Sequence, residues 1–198
     1  MTVKATIGGM GRWQPDSRGR LQEAALALYS ERGFDQTTAA QIAERAGLTE
    51  RTFFRHFADK REVLFGGSAR LQERIVAGVA SAPAGDSALD AVARGLEEAA
   101  GLLGEFRRDL SRQRQAVIAA NPELRERELA KLADYAAAVA LALHHRGVGE
   151  PQATLAAEAG MTVLRLALQQ WAGQDDGRPL AAVMSDSVAE LRALATYR

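Results

Sequence analysis

The strongest constraint on the fold of this chain comes from residues 33–64, GFDQTTAAQIAERAGLTERTFFRHFADKREVL. This run contains two short helical patterns separated by Gly47, with Thr38 and Thr49 placed as helix-capping residues. In the second pattern, charged residues share one face and phenylalanines share the other. One face of such a helix can be held by a core while the other enters a DNA groove. The run therefore favours a DNA-binding function over a catalytic one.

The composition predicts an all-α protein. Of the 198 residues, 47% are hydrophobic but only 6% are aromatic, and the apolar residues are mostly alanine, leucine and valine. Alanine is the strongest helix former, and long β-branched runs are missing. Because the sequence has no cysteine, disulfides and thiolate metal sites are excluded, which fits a reducing cytoplasm. No apolar run approaches the roughly 20 residues of a membrane span, and residues 1–16 lack a signal-peptide core.

The charge distribution is weakly polarised towards the amino end. The net charge is zero overall, but residues 1–65 carry ten basic and eight acidic side chains, a net of +2. We therefore expect only modest nonspecific attraction to phosphate.

Glycines, prolines and capping residues divide the chain into about nine helices. The expected helices span 17–32, 38–46, 50–56, 59–80, 87–103, 105–120, 122–145, 151–172 and 179–196. A capping box formed by Asp59 and Glu62 is expected to open the fourth, with Gly66 and Gly67 inside it as a point of bending or close packing. The predicted organisation is a flexible arm (1–16), a three-helix helix-turn-helix domain (17–65) and a helical domain for ligand binding and dimerisation (66–198).

The expected DNA-reading face lies on helix 50–56. Arg51 can make a bidentate contact to guanine, Glu50 can accept from cytosine, and Arg55 can reach a base or a phosphate. Phe54 offers apolar contact to a thymine methyl group or a sugar edge. Further predicted DNA-binding residues lie at helix ends and near the arm, namely Arg18, Arg20, Thr38, Thr49, His56 and Lys60.

Two other functional classes compete with this interpretation. An alanine-rich helical pair with a glycine turn also occurs in ordinary bundles, so a helical protein-interaction adaptor without sequence-specific DNA binding is the alternative. For an enzyme we find no nucleophile elbow, phosphate loop, dinucleotide fingerprint or metal-ligand spacing. The sequence therefore predicts a protein that is not an enzyme and has neither cofactor nor metal.

Residues 33–64 resemble the amino-terminal domain of TetR-family transcriptional regulators. The resemblance is carried by Gly33-Phe34, Thr37-Thr38, Ile42-Ala43, Ala46-Gly47-Leu48-Thr49, Thr52-Phe53-Phe54-Arg55-His56-Phe57, Lys60 and Val63-Leu64. It implies that helix 50–56 is the recognition helix and that Lys60 opens a linking helix. The family usually has tyrosine at position 54, whose hydroxyl binds a phosphate, and Phe54 lacks that group.

The same resemblance implies a repressor that binds a palindromic DNA operator as a homodimer and is released by a small hydrophobic effector. The last two helices of the family usually form a four-helix bundle with the partner subunit. Two apolar stripes would supply that surface here, one running from Leu155 to Gln170 and one from Leu180 to Leu194. An intrachain core is the other interpretation of the same stripes.

The carboxy-terminal part gives weaker signals for the effector. Residues 112–131 resemble the mycofactocin-type subgroup of regulators, which implies a lipophilic or acyl-thioester effector. Candidate ligand contacts are polar or aromatic residues on otherwise apolar helices, namely Phe106, Arg112, Tyr135, His144, Arg165 and Trp171.

Overall fold

The computed structural model describes residues 17–104 and 108–196, and this part of the chain is all α-helical. Its helices are α1 (Ser17–Arg32), α2 (Ala39–Arg45), α3 (Glu50–His56), α4 (Ser68–Ser81), α5 (Ala88–Gly104), α6 (Arg108–Ala120), α7 (Pro122–His145), α8 (Gln152–Gly173) and α9 (Leu180–Thr196). A short 3-10 helix, Glu62–Phe65, precedes α4. The predicted fold class is confirmed. The arm 1–16 and Phe106 lie outside the described residues.

The expected continuous helix 59–80 is wrong at its amino end. The Asp59 carboxylate does accept the backbone N–H groups of Arg61 and Glu62, at 2.7 and 3.1 Å, but it opens only the 3-10 helix. The chain then turns at Gly66, and α4 begins at Ser68. A Cβ on Gly66 would lie 2.8 Å from Cε1 of Phe57, so this glycine permits a close approach to the amino-terminal helices.

The smaller of two hydrophobic cores joins the amino-terminal helices to the corner between α6 and α7. Leu21, Ile42 and Phe53 are fully buried at its centre. Val117 and Ile118 of α6 and Leu124 of α7 belong to the same core. The helix-turn-helix therefore shares its apolar interior with residues far along the chain. The packing unit is thus larger than the predicted segment 17–65.

The larger core is formed by α4, α5, α7, α8 and α9. Two glycines bring α4 and α5 into backbone contact, because a Cβ on Gly95 would lie 2.7 Å from the carbonyl oxygen of Ile75 and one on Gly78 would lie 2.7 Å from the Gly95 Cα. Gly160 gives a similarly close approach of α8 to Val92 of α5. These contacts leave little space between the three helices.

The apolar stripe of α9 belongs largely to the chain's own interior. Leu180, Val183, Met184 and Val188 are buried in the larger core, which supports the intrachain interpretation for this part of the stripe. Leu194 remains 77% exposed. On α8, Val163 is buried, whereas Leu155 and Leu166 are exposed. Among the described helices, none has the length and apolar character needed to cross a membrane.

Candidate nucleic-acid interface

The turn between α2 and α3 is built from local hydrogen bonds that the sequence specifies. Thr38 and Gln41 form the expected capping box at the start of α2, with bonds of 2.9 and 3.2 Å. Gly47 has a φ of +64°, in the left-handed region, and allows the Leu48 N–H to return to the Ala43 carbonyl at 2.8 Å. The Thr49 hydroxyl then accepts the N–H of Thr52 and caps α3.

Helix α3 has one buried and one exposed face, as its residue pattern predicts. Phe53 and Phe57 are 0% and 3% exposed, and their ring centroids lie 5.7 Å apart inside the smaller core. On the opposite face, the exposed residues are Glu50, Arg51, Phe54 and Arg55. The core thus fixes the orientation of α3, and the predicted base-reading side chains project together from it.

Phe54 is unusual because a large aromatic ring lies on the exposed face. Its side chain is 54% exposed, and its ring contacts the buried Phe53 ring edge to face at 5.3 Å with an interplanar angle of 82°. The contact with Phe53 restrains the ring. An apolar surface between Arg51 and Arg55 is therefore available to a groove.

Lys60 contributes to the internal structure of this region. Its ammonium donates to the carbonyl oxygens of Phe34, Asp35 and Thr37, at 2.9, 3.3 and 3.1 Å, and lies 4.3 Å from the centroid of the Phe34 ring. The hydroxyl of Tyr29 donates to the Lys60 carbonyl, and burial together with the charge of Asp59 raises the pKa of that hydroxyl. Lys60 therefore stabilises the loop between α1 and α2.

The other residues predicted to contact phosphate differ in their exposure and in their contacts within the chain. Thr38 and Thr49 are exposed at the amino ends of α2 and α3. Arg20 donates to the carbonyl of Ala46, at the end of α2, and so fixes the turn. The guanidinium of Arg18 lies 5.4 Å from the centroid of Phe57.

The predicted effector contacts do not form a single cluster in the described residues. Tyr135 is buried beside Ser68, and burial raises its pKa. His144 lies at the end of α7, bonded to the Val148 carbonyl and to Glu150. Arg165 is half-buried on α8.

Two of those candidates, Arg112 and Trp171, make contacts near the end of α8. Trp171 is buried, with the guanidinium of Arg108 lying 5.0 Å from its ring centroid. Arg112 donates to the Ala172 carbonyl and to the carboxylate of Asp175. Arg108 also donates to the carbonyl oxygens of Gln174 and Arg178, so both arginines bind the segment that follows α8.

A groove of about 610 Å³ separates the helix-turn-helix from the amino-terminal half of α7. We refer to it as the interdomain groove. Its apolar lining, called the floor below, consists of the exposed Ala69 and Ala130 and of small parts of Phe57 and Phe65, which are only 3% and 6% exposed. His56 lies at the carboxyl end of α3 with its Nε2 buried and without a hydrogen-bond partner. The predicted effector residues that lie in the described part of the chain do not line this groove.

Ion pairs bridge the interdomain groove. The Glu62 carboxylate accepts from Arg127, and Lys131 lies 3.5 Å from its other oxygen. Beside them, Arg114 donates to the Leu64 carbonyl at 2.9 Å and lies 3.4 Å from Glu128. Sequence reasoning used Glu62 only as a cap and missed these contacts. The one available signal was the four-residue spacing of Arg127 and Lys131, which places both on one face of a helix.

The profile described as "Bacterial regulatory proteins, tetR family" matches residues 21–65, which contain α2, α3 and most of α1. The chain carries a TetR-family amino-terminal domain. The predicted resemblance is thereby confirmed for the helix-turn-helix.

Relatives extend the likeness in sequence and in fold. The transcriptional regulator TcmR of Streptomyces glaucescens is 36% identical over 94 residues, which cover 46% of this chain and 42% of that protein. The chain thus matches less than half the length of this curated relative. FadR of Thermus thermophilus, a repressor solved with lauroyl-CoA, has a TM-score of 0.53 at 25% identity over 91% of this chain and 96% of its own. FadR of Bacillus subtilis, solved with stearoyl-CoA, has a TM-score of 0.61 at 20% identity, covering 87% and 96% of the two chains.

The described residues give no sign of a metal centre. They contain no group of three or more histidine or acidic side chains placed to hold an ion.

Proposed function

We propose that this protein is a ligand-responsive DNA-binding transcriptional regulator, a cytoplasmic repressor that binds a palindromic operator as a homodimer. The observation that carries the proposal is the exposed face of α3, on which Arg51, Phe54 and Arg55 project from a helix anchored by buried phenylalanines. A rigid, capped helix with this exposed set fits the major groove.

A second copy of the chain supplies the other half of the reading surface. Leu155 and Leu166 on α8 are 65% and 48% exposed, and Leu194 on α9 is 77% exposed. Burying these side chains against a partner's α8 and α9 would stabilise a dimer. Two recognition helices about 34 Å apart would then contact successive turns of one face of DNA.

A small hydrophobic effector would release the operator by binding one conformation of the dimer more tightly than the other. The relatives solved with acyl-CoA support an effector with an apolar body. The shared core of the helix-turn-helix and the α6–α7 corner offers a route for this coupling, since movement of that corner displaces α1 and the attached α3.

Selection of bound sequences from a random DNA pool tests the proposal. We expect an inverted repeat that is bound selectively at a stated salt concentration. Arg51→Ala should lose about 1–3 kcal/mol of discrimination at one base pair per half-site. Arg70→Ala is the matched control, because it removes the same charge from an exposed position on α4. Equal, weak binding to all sequences by the unaltered protein would instead favour the adaptor.

A further inference from the structure

We infer that the interdomain groove is a binding site for a small organic carboxylate with an apolar body. This inference rests on the proposed regulatory function, because it gives that function an effector class and a site. The groove volume of about 610 Å³ lies within the range of roughly 300–1,000 Å³ that is typical of ligand sites. It lies between the amino-terminal helices and α7, and ligand sites commonly occur between packed helices.

The charges along the groove define the ligand's polar group. Glu62 is a single carboxylate that faces two cations, Arg127 and Lys131, so this triad carries one surplus positive charge. Lys131 is the less closely held of the two, at 3.5 Å from the Glu62 oxygen. A ligand carboxylate has the same geometry as the carboxylate of Glu62. It can replace Glu62 as the partner of Arg127, or it can bind Lys131 beside Glu62.

The remaining acidic residues restrict the ligand to a low charge. Asp59 already pairs with Arg61, whereas Glu123 and Glu126 line the groove as exposed carboxylates. Arg18 also lines the groove, so the basic and acidic side chains of the lining balance each other. Their field would repel a phosphate dianion or a polyphosphate far more than a monoanion. The groove therefore favours a monocarboxylate.

The floor of the groove defines the rest of the ligand. Ala69 and Ala130 contribute exposed methyl groups, and the largely buried Phe57 and Phe65 add a small aromatic surface. His56 also lines the groove, and its Nε2 is buried without a hydrogen-bond partner, so a small movement of the ring would let it bond a ligand oxygen. An aromatic or short aliphatic body would displace water from this floor.

Occupancy of the groove would act directly on DNA binding. Glu62 belongs to the segment that follows α3, Arg127 belongs to α7, and His56 is the last residue of α3. A carboxylate that takes over Arg127 frees Glu62 and loosens the link between the segment that follows α3 and α7. The recognition helix then loses one of its indirect attachments to α7.

Titration calorimetry with 2-naphthoate, and with neutral 2-naphthamide as the matched ligand, tests this inference. We expect naphthoate to bind about tenfold or more tightly than naphthamide, because the amide cannot form a charge-assisted pair. The double substitution Arg127→Gln with Lys131→Gln should remove that preference. Ala130→Trp, which fills the groove, should abolish binding, whereas Ala137→Trp at an exposed position two turns further along α7 should not.

The same variants separate this site from others. Naphthoate binding that is unchanged by Ala130→Trp and by the double substitution would place the ligand elsewhere, and undetectable binding to the unaltered protein would also overturn the inference. Titration of naphthoate into a complex with the selected operator should lower DNA affinity in the unaltered protein and in Ala137→Trp only. Because operator selection requires no ligand, failure of the proposed regulatory function would be seen separately.

Discussion

The ammonium of Lys60 lies 2.9 Å from the backbone oxygen of Phe34 and 4.3 Å from the centroid of the same residue's ring. A single cation thus satisfies a loop carbonyl and covers an aromatic face. It also reaches two further carbonyl oxygens, those of Asp35 and Thr37. This side chain joins the segment after α3 to the segment after α1, which places it inside the helix-turn-helix framework.

Lys60→Met should therefore act on stability more than on contact with DNA. Loss of a charged donor shared by three carbonyl oxygens is expected to lower the free energy of unfolding by about 2 kcal/mol. Urea unfolding measures this change. The slope of log affinity for DNA against log salt concentration should remain unchanged, whereas a residue that contacts phosphate would reduce that slope by about one.

The two neighbouring phenylalanines of α3 should give opposite results. Phe53→Ala removes a fully buried ring and should cost about 3–5 kcal/mol of unfolding free energy. Phe54→Ala truncates a ring that is 54% exposed and should change stability by no more than about 1 kcal/mol. Only Phe54→Ala should yield a well-folded protein with weakened operator binding. Similar losses of stability in both variants would contradict the two-faced arrangement.

The close approach of α4 and α5 predicts a contrast between two glycines of α5. Gly95→Ala places a methyl group 2.7 Å from the backbone oxygen of Ile75, so the helices must separate, at a cost of about 1–3 kcal/mol. Gly101→Ala meets no atom within 4 Å and should stabilise the helix by up to about 1 kcal/mol. Thermal unfolding of both variants measures whether each substitution stabilises or destabilises the protein. A stabilised Gly95→Ala would show that the contact is not tight.

Exposed leucines on α8 should control dimerisation. Leu166→Glu introduces a charge into the proposed subunit contact and should shift the protein towards monomer, as measured by light scattering during size-exclusion chromatography. Leu141→Glu is the control, because Leu141 is 56% exposed on α7, outside that contact. Monomer formation by Leu141→Glu alone would move the interface to α7.

Asp59 should make part of the stability dependent on pH. Burial acts to raise the pKa of its carboxyl group, but hydrogen bonds from the Arg61 side chain and from the backbone N–H groups of Glu62 and Arg61 outweigh it and lower the pKa. The group therefore contributes stability above its ordinary pKa, about 3.9, and this contribution is lost as the pH falls through the lowered value. Unfolding between pH 5 and about 2.5 should show a shallower decline in Asp59→Asn than in Asp134→Asn, which alters an exposed carboxylate on α7.

Much of the helix-turn-helix could be predicted because its signals are local. The capping box of Thr38 and Gln41, the left-handed Gly47 and the Thr49 cap each involve residues within five positions of one another. The alternation of Phe53 and Phe57 with charged residues also specified which face of α3 is buried. By contrast, the effector residues were chosen from single unusual side chains, and the structure disperses them.

The sequence by itself determined the helical class, the ends of α2 and α3 and the two faces of α3, because capping bonds and helical periodicity depend only on near neighbours. Tertiary structure alone decided that the α6–α7 corner shares the core of the helix-turn-helix, that Glu62 meets Arg127 and Lys131 across a groove, and that the α9 stripe is mostly internal. These features join residues that lie tens of positions apart. Their geometry depends on how the helices pack, which no short stretch of sequence specifies.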